Sequence, residues 1–271
     1  MKVLFKFWKD FIAWRPAYYR RRRACWHYLK NPGDILEKKE LHALKEIKFV
    51  SGQKFCFADK DTALQAFDEI FISEHYKLSP KQHYQTIVDI GANAGLFSFF
   101  AHMKCPKAEI YAIEASPTTY SILKKNIDTN GLNKKIFPFQ YALNKGFSKI
   151  KFFNAKVSGW ASIFNQKGAA HADVVEVEGI SLSLFCQREN IQSIDYLKMD
   201  IEGAEYDTIL GDLDFFKIKI DEMVIEVDRH PRDSRYKFED LLKCLRSRYA
   251  SVKIGIVGSA DYPLLYCRNR K

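Results

Sequence analysis

VDIGANAGLFSFF, residues 88–100, decides the reading of this chain. Apolar and small residues lead into a turn carrying Gly91 and Gly95, with Asp89 just ahead of the first glycine. The pattern is a strand, a tight loop and the start of a helix. Glycine-rich loops after a strand commonly cradle a phosphate. Set against the G-x-G-x-x-G dinucleotide loop, Gly91 takes the second glycine and Asp89 stands at the first. A carboxylate there repels a pyrophosphate and suits a ligand with an ammonium or sulfonium group.

Downstream, strands and helices alternate. TIVDI (86–90) is an apolar run of strand length, and LFSFFAHMK (96–104) follows as a helix. EIYAIEA (109–115) is a second strand. Pro117 opens a helix through TTYSILKKNIDTN (118–130), which Gly131 ends. KIFPFQYAL (135–143) is a third strand. A β-α-β-α-β succession predicts a parallel sheet with helices on both faces. SKIKFFN (148–154) and DVVEVEGIS (173–181) read as an added hairpin or sheet edge. The segment between them, which includes Trp160, has loop chemistry and reaches toward the substrate side. SIDYLKMDI (193–201) and KIDEMVIEV (219–227) are further strands; AEYDTILGDLDFF (204–216) and RYKFEDLLKCLRSRY (235–249) are helices. SVKIGIVG and YPLLYCR close the chain as an antiparallel pair, which predicts an antiparallel edge on a mostly parallel sheet.

The chain has 271 residues, of which 47% are hydrophobic, so a large core forms and general disorder is excluded. No stretch reaches the ~18 apolar residues of a membrane span. Residues 1–80 form a basic, aromatic-rich extension, expected to be helical and to pack on a main domain of residues 81–271. In it, LEKKELHALKEI (36–47) is rich in helix formers, KFCFAD (54–59) alternates like a strand, and TALQAFDEIFISEHY (62–76) has helical spacing. The net charge is +10, and Arg15 and Arg20 to Arg23 stand early among Trp8, Trp14, Tyr18, Tyr19 and Trp26. Three readings compete for residues 1–30: a solvated helix face, peripheral contact with anionic lipid, or a nucleic-acid patch. Lys6, Lys9 and Asp10 break any secretory signal. None of the six cysteines is spaced C-x-x-C, which argues against structural zinc and for reduced thiols in the cytoplasm.

In open α/β sheets ligands sit beyond the carboxyl ends of the strands. Glu114 ends the second strand, 25 residues after Asp89. A carboxylate there accepts hydrogen bonds from a ribose diol. Asp89 and Glu114 together favour S-adenosylmethionine over NAD. The bland alternative for each is a turn or capping carboxylate. No P-loop is present.

TIVDIGANAGLFS, IYAIEASP, YAL and IDYLKMDIEGAEYDTILG together resemble the FkbM-type family of class I S-adenosylmethionine-dependent methyltransferases. FDEIFISEHY (67–76) and MVIEV (223–227) also fit, and the resemblance spans roughly residues 62–230. It implies a Rossmann-like α/β fold: a mostly parallel seven-stranded sheet with an antiparallel last strand, here behind a helical N-terminal extension. It implies S-adenosylmethionine contacts at Asp89, Gly91, Asn93, Gly95, Glu114 and Ala142, the last through the backbone at the end of the third strand. Its members mostly methylate hydroxyl groups, often on sugars of glycans and on secondary metabolites. One departure stands out. Where the family often has a histidine after the last central strand, this chain has Asp228, with His230 two residues on.

A sugar hydroxyl needs a base or a cation to make it nucleophilic. Asp200, Glu202 and His230 are the candidate catalytic residues. Either one of them takes the proton, or carboxylates from two strand ends hold a divalent metal; the metal-free route is the expectation. Glu205 reads as a helix-start carboxylate, and Tyr76 and Trp160 as packing residues that could also stack on a sugar. A nucleic-acid methyltransferase is the rival reading, weakened by the absence of an N-P-P-Y signature after the fourth strand. A scaffold without activity would be expected to lose the donor loop or Glu114, and neither is lost.

Overall fold

A computed structural model describes residues 19–33, 46–58, 60–79, 82–154, 173–229, 235–257 and 259–269. The chain divides into two compact units, Met1–Glu74 and His75–Lys271.

In the first unit, helix α1 covers residues 19–28. Strands β1 (Glu46–Lys48) and β2 (Lys54–Cys56) form an antiparallel pair with Ile47 opposite Phe55. Helix α2 (Lys60–Phe67) runs into a π-helical turn, Asp68–Ile72. Phe67 and Phe71, four apart, share a face and stack at 5.1 Å; Phe49 meets Phe55 edge-on at 5.9 Å. All four rings are buried and form this unit's core. The expected helix at 36–47 is corrected where it can be seen: Glu46 and Ile47 are strand, and residues 34–45 lie outside the described residues. Tertiary pairing overrides helix propensity there, because Ile47 is needed opposite Phe55. The extension is therefore not helical throughout.

In the second unit the chain runs β3 (Thr86–Ile90), α3 (Leu96–Lys104), β4 (Glu109–Ile113), α4 (Pro117–Thr129) and β5 (Ile136–Phe139). Strands β6 (Ala142–Leu143), β7 (Ser148–Asn154) and β8 (Asp173–Ile180) follow. The remainder is α5 (Leu182–Arg188), β9 (Ser193–Met199), α6 (Glu205–Leu210), β10 (Lys219–Glu226), α7 (Phe238–Arg248), β11 (Ser251–Val257) and β12 (Ser259–Arg268).

The main sheet has seven strands in the order β11-β12-β10-β9-β3-β4-β5. β3, β4, β5, β9 and β10 are mutually parallel. β12 is antiparallel to both β10 and β11. This is the mostly parallel sheet with an antiparallel last strand. The antiparallel strand is not at the edge, however. β12 inserts between β10 and β11, and the edge strand β11 runs with the parallel set. Burial explains the choice: β12 carries Leu264, Leu265 and Cys267, all buried, whereas β11 exposes Ile254 and Ile256.

The third strand is shorter than expected. β5 stops at Phe139, and Ala142–Leu143 joins β7 and β8 in a separate three-stranded sheet, β6-β8-β7. β5 contains Pro138, which lacks an N–H and is confined to sheet edges. The 148–154 and 173–181 segments pair antiparallel as expected, with Ile150 opposite Val177. Helix α6 ends at Leu210, capped by Gly211, rather than reaching residue 216.

Among the described residues, no helix is long and apolar enough to cross a membrane. The main core lies between the sheet and its helices, where Ile90, Leu197, Met199, Ile225 and Leu265 meet Phe185, Phe215 and Leu241.

Candidate active site

Order reverses between β3 and β9: the chain leaves β3 for β4 on one side and returns to β9 on the other. Such a switch point opens a crevice at the strands' carboxyl ends. The loop after β3 lies in it. Gly91 has φ 76°, and a Cβ there would stand 1.8 Å from the Asp200 carbonyl oxygen, so no other residue fits. The Gly91 and Ala92 N–H groups both donate to the Ile113 carbonyl at 2.9 Å. Asn93 is also left-handed, φ 49°, and its Oδ1 accepts from the Ala94 N–H at 2.8 Å. Gly95, φ 89°, opens α3. Asn126 of α4 donates to the Ala94 carbonyl at 2.9 Å. The loop is thus held from β4, α4 and the β9 turn.

Glu114, at the end of β4, clamps the loop. Its Oε2 accepts from the Asn93 N–H at 2.9 Å and its Oε1 from the Ser116 N–H at 2.8 Å. Burial pushes its pKa up, against the two backbone donors that pull it down. Each oxygen keeps a lone pair for a further donor.

Asp89 differs from expectation. It was read as facing a cationic ligand group, but it is fully buried. Its Oδ2 accepts from the Ser98 hydroxyl at 2.6 Å, and its Oδ1 lies 3.4 Å from Lys198 Nζ. Its charge acts on a cation of the chain itself. Burial raises the Asp89 pKa, while Lys198 opposes the rise.

Lys198 sits on β9 with its side chain 5% exposed. It donates to the Gly91 carbonyl at 2.7 Å and stands 3.6 Å from Asp200 Oδ2. The same Asp200 oxygen accepts from the Tyr76 hydroxyl at 3.2 Å. The Asp200 side chain is 29% exposed, so it is both fixed and reachable. Glu202 follows in a left-handed conformation, φ 56°, and Gly203 at φ 101° completes the turn. Glu205 closes that turn from below: its Oε1 accepts from Ile201 N–H at 2.9 Å and Gly203 N–H at 3.3 Å. Glu205 is buried, and desolvation pushes its pKa to about 7. Its second oxygen, Oε2, is buried and has no hydrogen-bond partner among the described residues. The helix-start position is as read; its burial is not that of a surface dipole charge.

Ala142 is buried and starts β6, three residues past β5. His230 and Trp160 lie outside the described residues. Among the described residues, no group of three or more His, Cys, Asp or Glu is placed to hold a metal.

The cradle fits S-adenosylmethionine. Glu114 offers a buried carboxylate at the next strand end, and each of its oxygens, already taking one backbone N–H, can accept one more donor such as a ribose hydroxyl. The family model described as Methyltransferase FkbM domain matches residues 89–250. The chain belongs to the FkbM methyltransferase family. Methyltransferase 1 of Beauveria bassiana is 27% identical over 204 residues, covering 69% of this chain and 80% of that protein. The 31-O-demethyl-FK506 methyltransferase FkbM of Streptomyces tacrolimicus is 23% identical over 186 residues, covering 59% of this chain and 70% of its own. A solved structure, methyltransferase FkbM from Methylobacillus flagellatus KT, aligns at 12% identity with a TM-score of 0.46, covering 96% of this chain and 60% of that one.

This FkbM chain is an S-adenosylmethionine-dependent methyltransferase. When bound, the cofactor supplies an activated methyl on a sulfonium. The residues named above would hold it and align an acceptor; such alignment can lower a barrier by roughly 7–11 kcal/mol. Sequence reasoning singled out the KMDIEGAE stretch but gave Lys198 no role. The signal was there: a lysine inside the apolar strand IDYLKM needs a buried counter-charge, and Asp89 was the neighbour-strand candidate.

Proposed function

We propose that the chain transfers the methyl group to a hydroxyl oxygen, and that the hydroxyl belongs to a sugar of a glycan or glycolipid. In this reading Gly91, Asn93, Gly95, Glu114 and the Ala142 backbone form the cofactor site, and the buried Asp89 lies beneath it, paired with Ser98 and Lys198. Asp200 takes the hydroxyl proton as the methyl moves, Glu202 lines the acceptor side, and His230 is a further acceptor-side candidate. The observation that carries the reading is Asp200 itself: a partly exposed carboxylate, oriented by Tyr76 and Lys198, directly beside the donor loop. The Streptomyces relative, a 31-O-demethyl-FK506 methyltransferase by name, supports oxygen as the methylated atom. Glu226 and Asp228, at the end of the neighbouring strand β10, add acid to the same rim. Carboxylates pair with the diols of a sugar and repel the phosphates of a nucleic acid.

The test is methyl transfer from labelled S-adenosylmethionine to a panel of oligosaccharides, small polyols and RNA. A hydroxylated acceptor is expected, with Asp200→Asn lowering kcat by about 10²-fold or more, the scale of a lost general base. Transfer only to RNA would sink the reading.

We propose also that the chain works in the cytoplasm and touches an anionic membrane through residues 1–30. Within the described part, α1 exposes Tyr19 (60%) and Trp26 (63%) on the face that carries Arg22 and Arg23. Sedimentation with anionic but not neutral vesicles, lost in Trp26→Ala/Arg23→Glu, is the expected result. No sedimentation with either removes this part.

A further inference from the structure

One buried cation touches both halves of the site. Lys198 Nζ makes its shortest contact, 2.7 Å, with the carbonyl of Gly91 in the donor loop. Asp89, below that loop, and Asp200, on the acceptor side, stand at the similar distances of 3.4 and 3.6 Å. The Ile90 carbonyl lies at 3.5 Å, and the Tyr76 ring centroid at 5.5 Å. An ammonium has three protons and no acceptor, so these groups compete for its directions. A mere counter-ion for Asp89 would sit closest to Asp89, yet Lys198 stands 3.4 Å from Asp89 Oδ1 and nearer the Gly91 carbonyl, while Ser98 holds the other oxygen, Oδ2, at 2.6 Å. The two segments are also interlocked without the lysine: Asp200 N–H donates to the Ile90 carbonyl at 3.1 Å, and Gly91 packs on the Asp200 carbonyl.

We propose that Lys198 is a positioning residue: it fixes the Gly91 carbonyl and, divided between Asp89 and Asp200, couples the shape of the donor loop to the orientation of the acceptor-side carboxylate. This rests on the loop at 89–95 being the cofactor cradle. It does not rest on Asp200 being the base. A donor loop pulled out of place would release Lys198 from Gly91 and let it turn toward Asp200. An Asp200 carboxylate drawn away by an acceptor would leave Lys198 more firmly on the donor side.

The experiment is calorimetric titration of S-adenosylhomocysteine, with melting temperatures, on the full chain and four variants: Lys198→Met, Asp200→Asn, their combination, and Asp89→Asn/Lys198→Met. Lys198→Met is expected to weaken binding about tenfold or more, as for one lost charge-assisted hydrogen bond. Asp200→Asn weakens it by a smaller factor, and adding it to Lys198→Met changes nothing further, because its effect travels through the lysine. Asp89→Asn/Lys198→Met leaves no unpaired buried charge, so it recovers the melting temperature but not the affinity. It also carries the comparison if Lys198→Met alone does not fold. Independent, multiplicative effects of Lys198→Met and Asp200→Asn would overturn the coupling. Full recovery of affinity in Asp89→Asn/Lys198→Met would reduce the lysine to a counter-charge. A wild type that does not bind would remove the cradle and this proposal together. Turnover is not used, so Asp200's role as base stands or falls separately.

Discussion

Glu205 holds the turn that carries Asp200 and Glu202, and it does so as a buried carboxylate with one oxygen that finds no partner among the described residues. Its pKa stands near 4.5 in an unfolded chain and is raised to about 7 in the folded one. Between those values the folded state holds the extra proton. Its contribution to stability is therefore full below about pH 4.5, falls as pH rises, and is flat above about 7. The loss amounts to no more than ~3.5 kcal/mol at about 1.4 kcal/mol per unit. Glu205→Gln cannot ionise. Its melting temperature should gain on wild type between pH 4.5 and 7 and keep a constant lead above that; a lead independent of pH contradicts the burial argument. Gly91 gives a second prediction at this scale. Gly91→Ala forces a left-handed alanine into a backbone oxygen 1.8 Å away. A stability loss of about 2 kcal/mol or more is expected, measured by urea unfolding. The strand-loop-strand run that carries Asp89, Gly91 and Glu114 was legible because its spacing is local; the inward burial of Asp89 was not, since its partner Lys198 lies more than a hundred residues on. Glu205's burial was not legible, since a glutamate that starts a surface helix and one that starts a buried helix look alike in sequence. Lys198 was half legible: its need for a partner could be read, and its division between two partners could not.

At the level of elements, the alternation of apolar runs with helical spacing made the five parallel strands readable. The order of β11 and β12 was not. Both strands of a terminal hairpin have the same local pattern whichever lies inside, and the choice is made by pairing with β10. There Leu265 sits opposite Ile225 on one side and Ile254 on the other. This predicts an asymmetry. Leu265→Ala, in the fully buried inner strand, should cost 2–5 kcal/mol by urea unfolding. Ile254→Ala, on the half-open edge strand, should cost much less. Equal costs would contradict the inserted position of β12. The early end of β5 had a visible cause in Pro138, yet the departure of Ala142 to a second sheet depends on β8, which lies more than thirty residues on. Contacts at that separation leave no local mark.

For the whole molecule, the fold, the family and the cofactor converge on one activity. The net charge of +10 pointed toward a polyanionic partner, but it does not describe the site. Asp200, Glu202, Glu226 and Asp228 stand at the carboxyl ends of β9 and β10, while exposed arginines cluster on α1 in the first unit. A global charge averages over surfaces that do different work. Methyl transfer assays should accordingly depend weakly on salt for a neutral oligosaccharide acceptor, whereas vesicle binding should fall steeply as salt rises. Strong salt dependence of both would mean that the acceptor itself is anionic.

Loop 89–95 and Glu114 are proposed to build the S-adenosylmethionine site. Its most direct test is calorimetric titration of S-adenosylmethionine into wild type and Glu114→Ala. One site per chain is expected in the wild type, and affinity at least about tenfold weaker in the variant, with both proteins folded. Equal affinity in the two would contradict the assignment of Glu114, and no binding to the wild type would contradict the site as a whole.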